Sequence, residues 1–290
     1  MVFSVIYRPI GRKMTPKVSV IIRTKNEEKY IAKCITSLLQ QDYGNIEILV
    51  VDSGSIDKTL EIVKKGGIKL IEIKPEDFTY GYALNIGCKA AKGEYIALLS
   101  AHTIPIQENW LSVLMRNFTD YSIAGVYGKQ IPKVNNIPEE RDNKLFFPDE
   151  VRSYRKNPMF HNANSIIRKN VWKCIPFDEK LTGLEDIDWA KKATDMGYSI
   201  IYEPEAAVHH YHKENLGRIY ERAKRETLTL KKIGVTRYTH QGAINFTIGY
   251  FIYMVRDFLY GIRNKKNLSE ILSIPLTRFA KSYGIFRACN

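Results

Sequence analysis

The sequence predicts an α/β domain, with a mostly parallel sheet covered by helices on both faces. Three observations carry this. Four short runs are apolar and β-branched almost throughout rather than alternating, as strands buried on two faces must be. Segments with helical spacing of apolar residues separate them, in the strict order βαβαβαβ. Three of the runs close on polar loops, which marks one edge of such a sheet for binding.

Val18 to Arg23 (VSVIIR) is the first strand. Ile31, Cys34, Ile35, Leu38 and Leu39 follow at i, i+3, i+4, i+7 and i+8, one face of a helix. Ile46 to Val51 is the second strand, ending at Asp52, and Ser53, Gly54 and Ser55 turn the chain. Asp57 to Lys65 reads as a helix closed by Gly66 and Gly67, and Ile68 to Ile73 as the third strand. A helix from about Tyr82 to Lys92 stops at Gly93, and Tyr95 to Leu99 is the fourth strand, ending at Ser100.

Sheets of this kind bind ligands beyond the carboxyl ends of their strands, where loops carry no packing duty and helix N-termini point. Arg23 to Asn26, Asp52 to Ser55 and Ser100 to Pro105 sit at those ends, so three loops are expected to converge on one cleft. Dinucleotide-binding and P-loop readings find no support, since neither GxGxxG nor GxxxxGK[ST] occurs.

The 290 residues, 44% hydrophobic and 26% charged, suffice for one substantial core. Cys34, Cys88, Cys174 and Cys289 have neither metal-type spacing nor the look of a disulfide framework. Arg8, Arg12, Lys13 and Lys17 lie near the start without an apolar signal-peptide run, so a cytoplasmic protein is expected. The net charge of +13 is concentrated: from Lys213 onward, 15 Lys and Arg stand against 5 Asp and Glu. No zinc-finger spacing, RNP-type strand or KH loop accompanies that charge. The expected partner is therefore an anionic membrane surface rather than nucleic acid.

Several motifs lie in order along the chain. Thr24-Lys25-Asn26-Glu27 follows the first strand, and Val51 to Thr59 has the form VDxGSxDxT. Asn85, Gly87, Ala91, Gly93, Glu94, Tyr95, Ile96 and Leu99 lead into the third polar loop. Phe177-Asp178-Glu179 precedes Gly183-Leu184-Glu185-Asp186-Ile187-Asp188-Trp189-Ala190. From about Val18 to His212 the chain thus resembles family 2 glycosyltransferases. The resemblance implies a GT-A fold and transfer of a sugar, with inversion, from a nucleotide-diphospho-sugar to an acceptor hydroxyl. It places Thr24, Asn26, Glu27, Asp52, Asn85, Ser100, Ala101 and Arg168 around the donor, with Asp52 on base and ribose. In-line attack needs a base for the hydroxyl proton. The resemblance gives that role to Asp186, with Glu185 orienting the loop or acceptor and Asp188 and Trp189 on the acceptor side. The bland alternative is three acids favouring a helix N-terminus.

Where the family carries DxD, this chain reads Ser100-Ala101-His102. A DxD pair holds a divalent ion that neutralises the leaving diphosphate. Some GT-A enzymes use a DxH variant with a distal His, and His102 and His210 match those two positions. They are the expected metal ligands, with Mn2+ favoured over Mg2+ because imidazole suits it better. His212 shares the strand face of His210 if the strand continues. Phe78 to Asn85, with a loop ending at Pro105, looks like the rhamnosyltransferase-like branch, which acts on bacterial surface polysaccharides. The processive motif QxxRW is missing, which favours single additions to a saccharide or lipid-linked saccharide. Loss of both DxD carboxylates supports a competing reading, a catalytically degenerate nucleotide-sugar-binding or membrane-scaffold protein.

Residues 1–16 read as an N-terminal extension, 17–212 as the catalytic domain and 213–290 as a basic, apolar helical region. Asn215 to Lys232 is a basic helical pattern. The apolar stretch from Ala243 to Val255 is too short to span a bilayer, and Ile244, Ile248, Phe251, Val255, Phe258 and Ile262 recur with helical spacing. It either packs on the catalytic domain or docks on a membrane, with Arg263, Lys265, Lys266, Arg278, Lys281 and Arg287 toward lipid.

Overall fold

A computed structural model describes residues 16–133, 136–211, 215–235 and 243–289, with the backbone alone for 243–245. The expected extension lies outside the described residues except for Pro16, as do His212 and the expected boundary after it.

The first four strands are β1 (Val18–Thr24), β2 (Ile46–Asp52), β3 (Lys69–Glu72) and β4 (Tyr95–Ser100). They lie in the order β3-β2-β1-β4, all parallel. Between them run α1 (Ile31–Leu39), α2 (Thr59–Lys65) and α3 (Tyr80–Ala90). α2 starts two residues later than its apolar pattern suggests because Asp57 Oδ1 accepts the Thr59 N–H (2.9 Å) and so stays outside the helix. α3 starts two residues earlier, where Thr79 caps it by accepting the Tyr82 N–H (3.0 Å).

Beyond β4 come β5 (Thr103–Pro105), α4 (Trp110–Met115), β6 (Ile123–Pro132), α5 (Ile137–Phe146), β7 (Arg152–Tyr154) and β8 (Asn164–Arg168). α6 (Lys169–Cys174), α7 (Glu185–Asp195) and β9 (Ser199–His210) complete this part. β8 runs antiparallel to β4 and to β6, β9 is parallel to β6, and β5 and β7 are antiparallel to β9. The sheet is therefore parallel in its first half and mixed in its second. Antiparallel partners need no crossover helix, which is why the regular alternation stops after Ser100.

Side chains alternate across β1 and β2 and divide the core. Ile22 and Val50 pack under α1 and α4, whereas Ile21 and Val51 pack under α3, α6 and α7. Arg23, two residues after Ile21, inherits that second face at the strand end.

Three helices follow, α8 (Leu216–Lys232), α9 (Ala243–Arg263) and α10 (Leu268–Cys289). α10 lies against α8 at Gly284, where a Cβ would stand 2.5 Å from the Tyr220 carbonyl oxygen, so only glycine allows the approach. α9 and α10 form an antiparallel hairpin pinned to α5 by buried charges. Arg278 donates to Asp257 through Nε and Nη2 (2.7 and 2.9 Å) and to Asp142 through Nη1 (3.0 Å). Lys281 reaches Asp142 (2.8 Å), and Arg141 lies 2.7 Å from Asp257. Burial alone would raise the Asp142 carboxyl, but Lys281 and Arg278 hold it down to about 2.

Lys266 likewise pairs with Glu140 (2.5 Å). Of the six cations expected to face lipid, only Arg263, Lys265 and Arg287 are exposed, because Lys266, Arg278 and Lys281 pair with α5. Among the described residues no helix is long and apolar enough to cross a membrane.

Replacing Asp257 by Ala leaves Arg278 and Arg141 buried without their shared carboxylate. Urea unfolding should report a loss of about 3–5 kcal/mol; an unchanged midpoint would mean that this cluster does not hold the hairpin.

Candidate active site

Thr24 stands opposite Asp52, and Arg23 opposite Ser100, so the carboxyl ends of β1, β2 and β4 are neighbours. The chain reverses after β2 through Gly54, at φ +88°, a conformation that suits glycine. Asp52 organises this turn by accepting the N–H groups of Gly54 and Ser55 (2.8 Å each) and the Ser55 hydroxyl (2.5 Å). The loop after β1 is clamped to it. Asn26 N–H donates to Ser55 Oγ, Ile56 N–H to Asn26 Oδ1 and Glu27 N–H to Thr59 Oγ1, each at 2.8 Å. Thr24, Asn26, Glu27 and Asp52 thus belong to one rigid wall.

Pairing of β5 with β9 sets Thr103 opposite His210 and brings the third loop to the same end. The His102 and His210 rings stack in parallel, 6° between planes and 5.1 Å between centroids. Glu27 Oε1 lies 2.6 Å from His102 Nδ1, which sets the orientation of that ring. Tyr30 and Tyr211 stack beside them at 4.8 Å.

Gly183 (φ +158°) and Leu184 (φ +57°, left-handed) bring the chain into α7, so that Glu185 and Asp186 open the helix. Asp186 Oδ2 accepts the Asn162 N–H (3.2 Å), Asp186 Oδ1 the Ile187 N–H (2.8 Å), and Glu185 Oε1 the Asn162 side-chain amide (3.4 Å). Burial raises the Asp186 carboxyl to about 6, and Glu226 adds to this against the lowering influence of Asn162, Ile187 and Arg23. Burial first, and the Asp186 charge second, raise Glu185 to about 7. Both carboxyls are thus held above the usual carboxylate range, chiefly by burial.

Four contributors escaped the sequence reading. The Arg23 guanidinium lies 5.1 Å from the Tyr80 ring centre, and that of Arg225, from α8, lies 6.0 Å from the same ring. Glu226 is the next residue on α8, and its charge is felt at Asp186. An arginine closing an apolar strand was a legible signal for Arg23. Arg225 and Glu226 sit in a basic helix whose pattern reads as surface, and only packing brings Arg225 to Tyr80 and Glu226 within reach of Asp186.

Other expected residues are not at the cleft. Asn85 spends its whole hydrogen-bonding capacity inside: its amide donates to Phe177 O and Glu179 Oε1 and accepts from Trp172 Nε1 and Phe177 N–H. It clips the 177–179 segment in place. Arg168 pairs with Tyr95, at the amino end of β4, and its guanidinium bonds the carbonyls of Ile123 and Asp120 and the Tyr95 hydroxyl. It lies across the sheet from the binding edge. The Ala101 side chain is buried in the core with Val113 and Leu114, so only Ser100 and His102 remain at the loop. Asp188, about 200° round the helix from Asp186, is ion-paired with Lys192 (2.6 Å). Trp189 is fully buried against Phe160 and Phe177 and cannot meet an acceptor.

Two adjacent imidazoles, one steadied by a carboxylate, are of the chemistry that suits a borderline ion better than a hard one. Among the described residues no cluster of three His, Cys, Asp or Glu suited to a metal occurs, so His102 and His210 would need further ligands to hold one.

Comparison with known proteins bears on the family and the fold. The chain is 31% identical to glycosyltransferase AglE of Haloferax volcanii over 64% of each chain, so the match spans less than two thirds of that relative. It is 26% identical to the O-antigen chain rhamnosyltransferase RfbN of Salmonella typhimurium, over 68% of this chain and 67% of that one. Among solved structures, the mannosyltransferase PcManGT from Pyrobaculum calidifontis, in complex with GDP-Man and Mn2+, superposes with a TM-score of 0.59 at 20% identity. That superposition covers 94% of this chain and 70% of the other. The profile of glycosyl transferase family 2 matches residues 19–175. With its sheet, its helices and this match over more than half its length, the chain belongs to glycosyl transferase family 2 and has the GT-A fold.

Proposed function

We propose that this chain transfers one sugar per encounter, with inversion, from a nucleotide-diphospho-sugar to a hydroxyl of a saccharide or lipid-linked saccharide. The observation that carries this reading is the acidic pair opening α7, Glu185 buried and Asp186 half-buried, beside the clamped ends of β1 and β2. Asp186 accepts the hydroxyl proton as the new C1–O bond forms and the C1–O bond to the diphosphate breaks, its electron pair leaving with the diphosphate. Glu185 positions the Asn162 segment, and Asp52 receives donor hydroxyl or base N–H groups on its remaining acceptor site. Arg23 supplies positive charge that favours ionised Asp186 and, with Arg225 on the other contact of Tyr80, opposes the charge growing on the leaving group. His102 and His210 would hold a divalent ion, Mn2+ before Mg2+, which supplies neutralisation of the diphosphate when bound. The likeness to an O-antigen chain rhamnosyltransferase supports a role in surface polysaccharide assembly, and the likeness in fold to a mannosyltransferase solved with GDP-Man and Mn2+ supports the use of a nucleotide sugar with Mn2+.

Asp186→Asn should lower kcat by about 10²–10⁴-fold with donor affinity retained. Undiminished transfer would remove Asp186 as base. Binding of nucleotide sugars without transfer by the natural chain would favour the degenerate-binder reading.

Because the Asp186 carboxyl is raised, the base form appears only as pH climbs through about 6. kcat/KM should therefore rise with pH across that value rather than near 4. A flat profile from pH 5 to about 7 would contradict the assignment.

His102→Ala should weaken Mn2+-dependent donor binding in a thermal-shift titration. Equal binding of the natural chain with and without chelator would sink the metal reading.

A further inference from the structure

We infer that the outer face of the α9–α10 hairpin docks on an anionic lipid bilayer and thereby presents the cleft to membrane-anchored acceptors. The acceptor clause rests on the transferase reading above, and the docking does not. On α9, Ile248, Val255, Leu259 and Ile262 fall on one face, and on α10 so do Leu272 and Leu276, each at least 52% exposed. The opposite faces carry Asp257 and Arg278, which are buried against α5. The hairpin therefore holds a buried charge cluster on one side and a row of large exposed apolar side chains on the other, which an ordinary surface helix does not.

Cations edge this stripe. Arg256 lies one turn beyond Ile252, Arg263 one turn beyond Leu259, and Lys265 sits in the connecting turn, all exposed. The two acids of residues 243–289 are withdrawn: Asp257 is fully buried, and Glu270 is half-buried and accepts the Asn267 N–H. A symmetric contact with a second copy would set these cations against their own kind with no carboxylate between them. Anionic headgroups match them, while the apolar stripe enters the acyl boundary.

The surface is also tied to the chemistry. α10 presses on α8 at Gly284, and α8 carries Arg225 to the Tyr80 ring and Glu226 to where its charge is felt at Asp186. A bilayer on the hairpin would thus stand at a fixed attitude to the cleft.

The test is sedimentation of the full chain, without donor or acceptor, with phosphatidylcholine vesicles and with vesicles containing about one-third phosphatidylglycerol. Binding to the second kind should be at least ~10-fold stronger and should weaken with salt. Leu259→Glu with Leu272→Glu should abolish it while leaving the melting temperature unchanged, since both sites are exposed. Arg263→Glu with Lys265→Glu should weaken binding and flatten its salt dependence. The inference is overturned if the natural chain ignores anionic vesicles, or if the double Glu variant binds them equally well. It is equally overturned if light scattering finds a dimer that this variant dissolves. Vesicle binding by a chain that binds no nucleotide sugar would uphold docking and remove the transferase reading alone.

Discussion

Placing two adjacent carboxylates where water is largely excluded is the constraint around which the rest of this molecule is arranged. Desolvation disfavours the charges on Glu185 and Asp186, and the fold answers with dipoles and cations fixed in advance: the Asn162 and Ile187 N–H groups and the Arg23 guanidinium. The entry to α7 adds its own cost. Leu184 is a non-glycine residue in the left-handed region, which costs roughly 1 kcal/mol or more. Charge burial and backbone strain are thus concentrated at one turn of the chain.

The other side of the cleft is stiffened by hydrogen bonds between loops. Asp52 holds its own turn, and that turn holds the loop after β1 through Asn26, Glu27 and Glu28. Glu27 carries the order on to His102, which stacks on His210. Strand register at β5 and β9 brings these two histidines together, although more than a hundred residues separate them in the chain. The mixed second half of the sheet thus has a purpose: the return of β9 past β5 delivers the distal histidine to the edge formed by the parallel half.

The C-terminal helices are part of the catalytic body on one face and unlike it on the other. Their buried ion cluster fastens them to α5, and such a cluster favours one docking geometry over others more than it adds stability. Through α8 they complete the charge environment of Asp186, so this segment belongs to the site although it lies beyond the family-matched residues.

The sequence by itself determined the parallel half of the sheet, the three loops at its binding edge and the family, because apolar periodicity and short motifs are local properties. It placed Asp52, Glu27, His102, Asp186 and His210 at that edge for the same reason. It misplaced Arg168, Asn85 and Trp189, since a motif gives a residue's order along the chain and not the direction of its side chain. Arg168 stands at the wrong end of β8 once that strand runs antiparallel to β4, and Trp189 turns into the core beneath Asp186. Only tertiary packing decided that Arg225 meets Tyr80 and that the charge of Glu226 is felt at Asp186. It also decided that Arg278 and Lys281 face inward, because burial and charge pairing are settled between elements far apart in sequence.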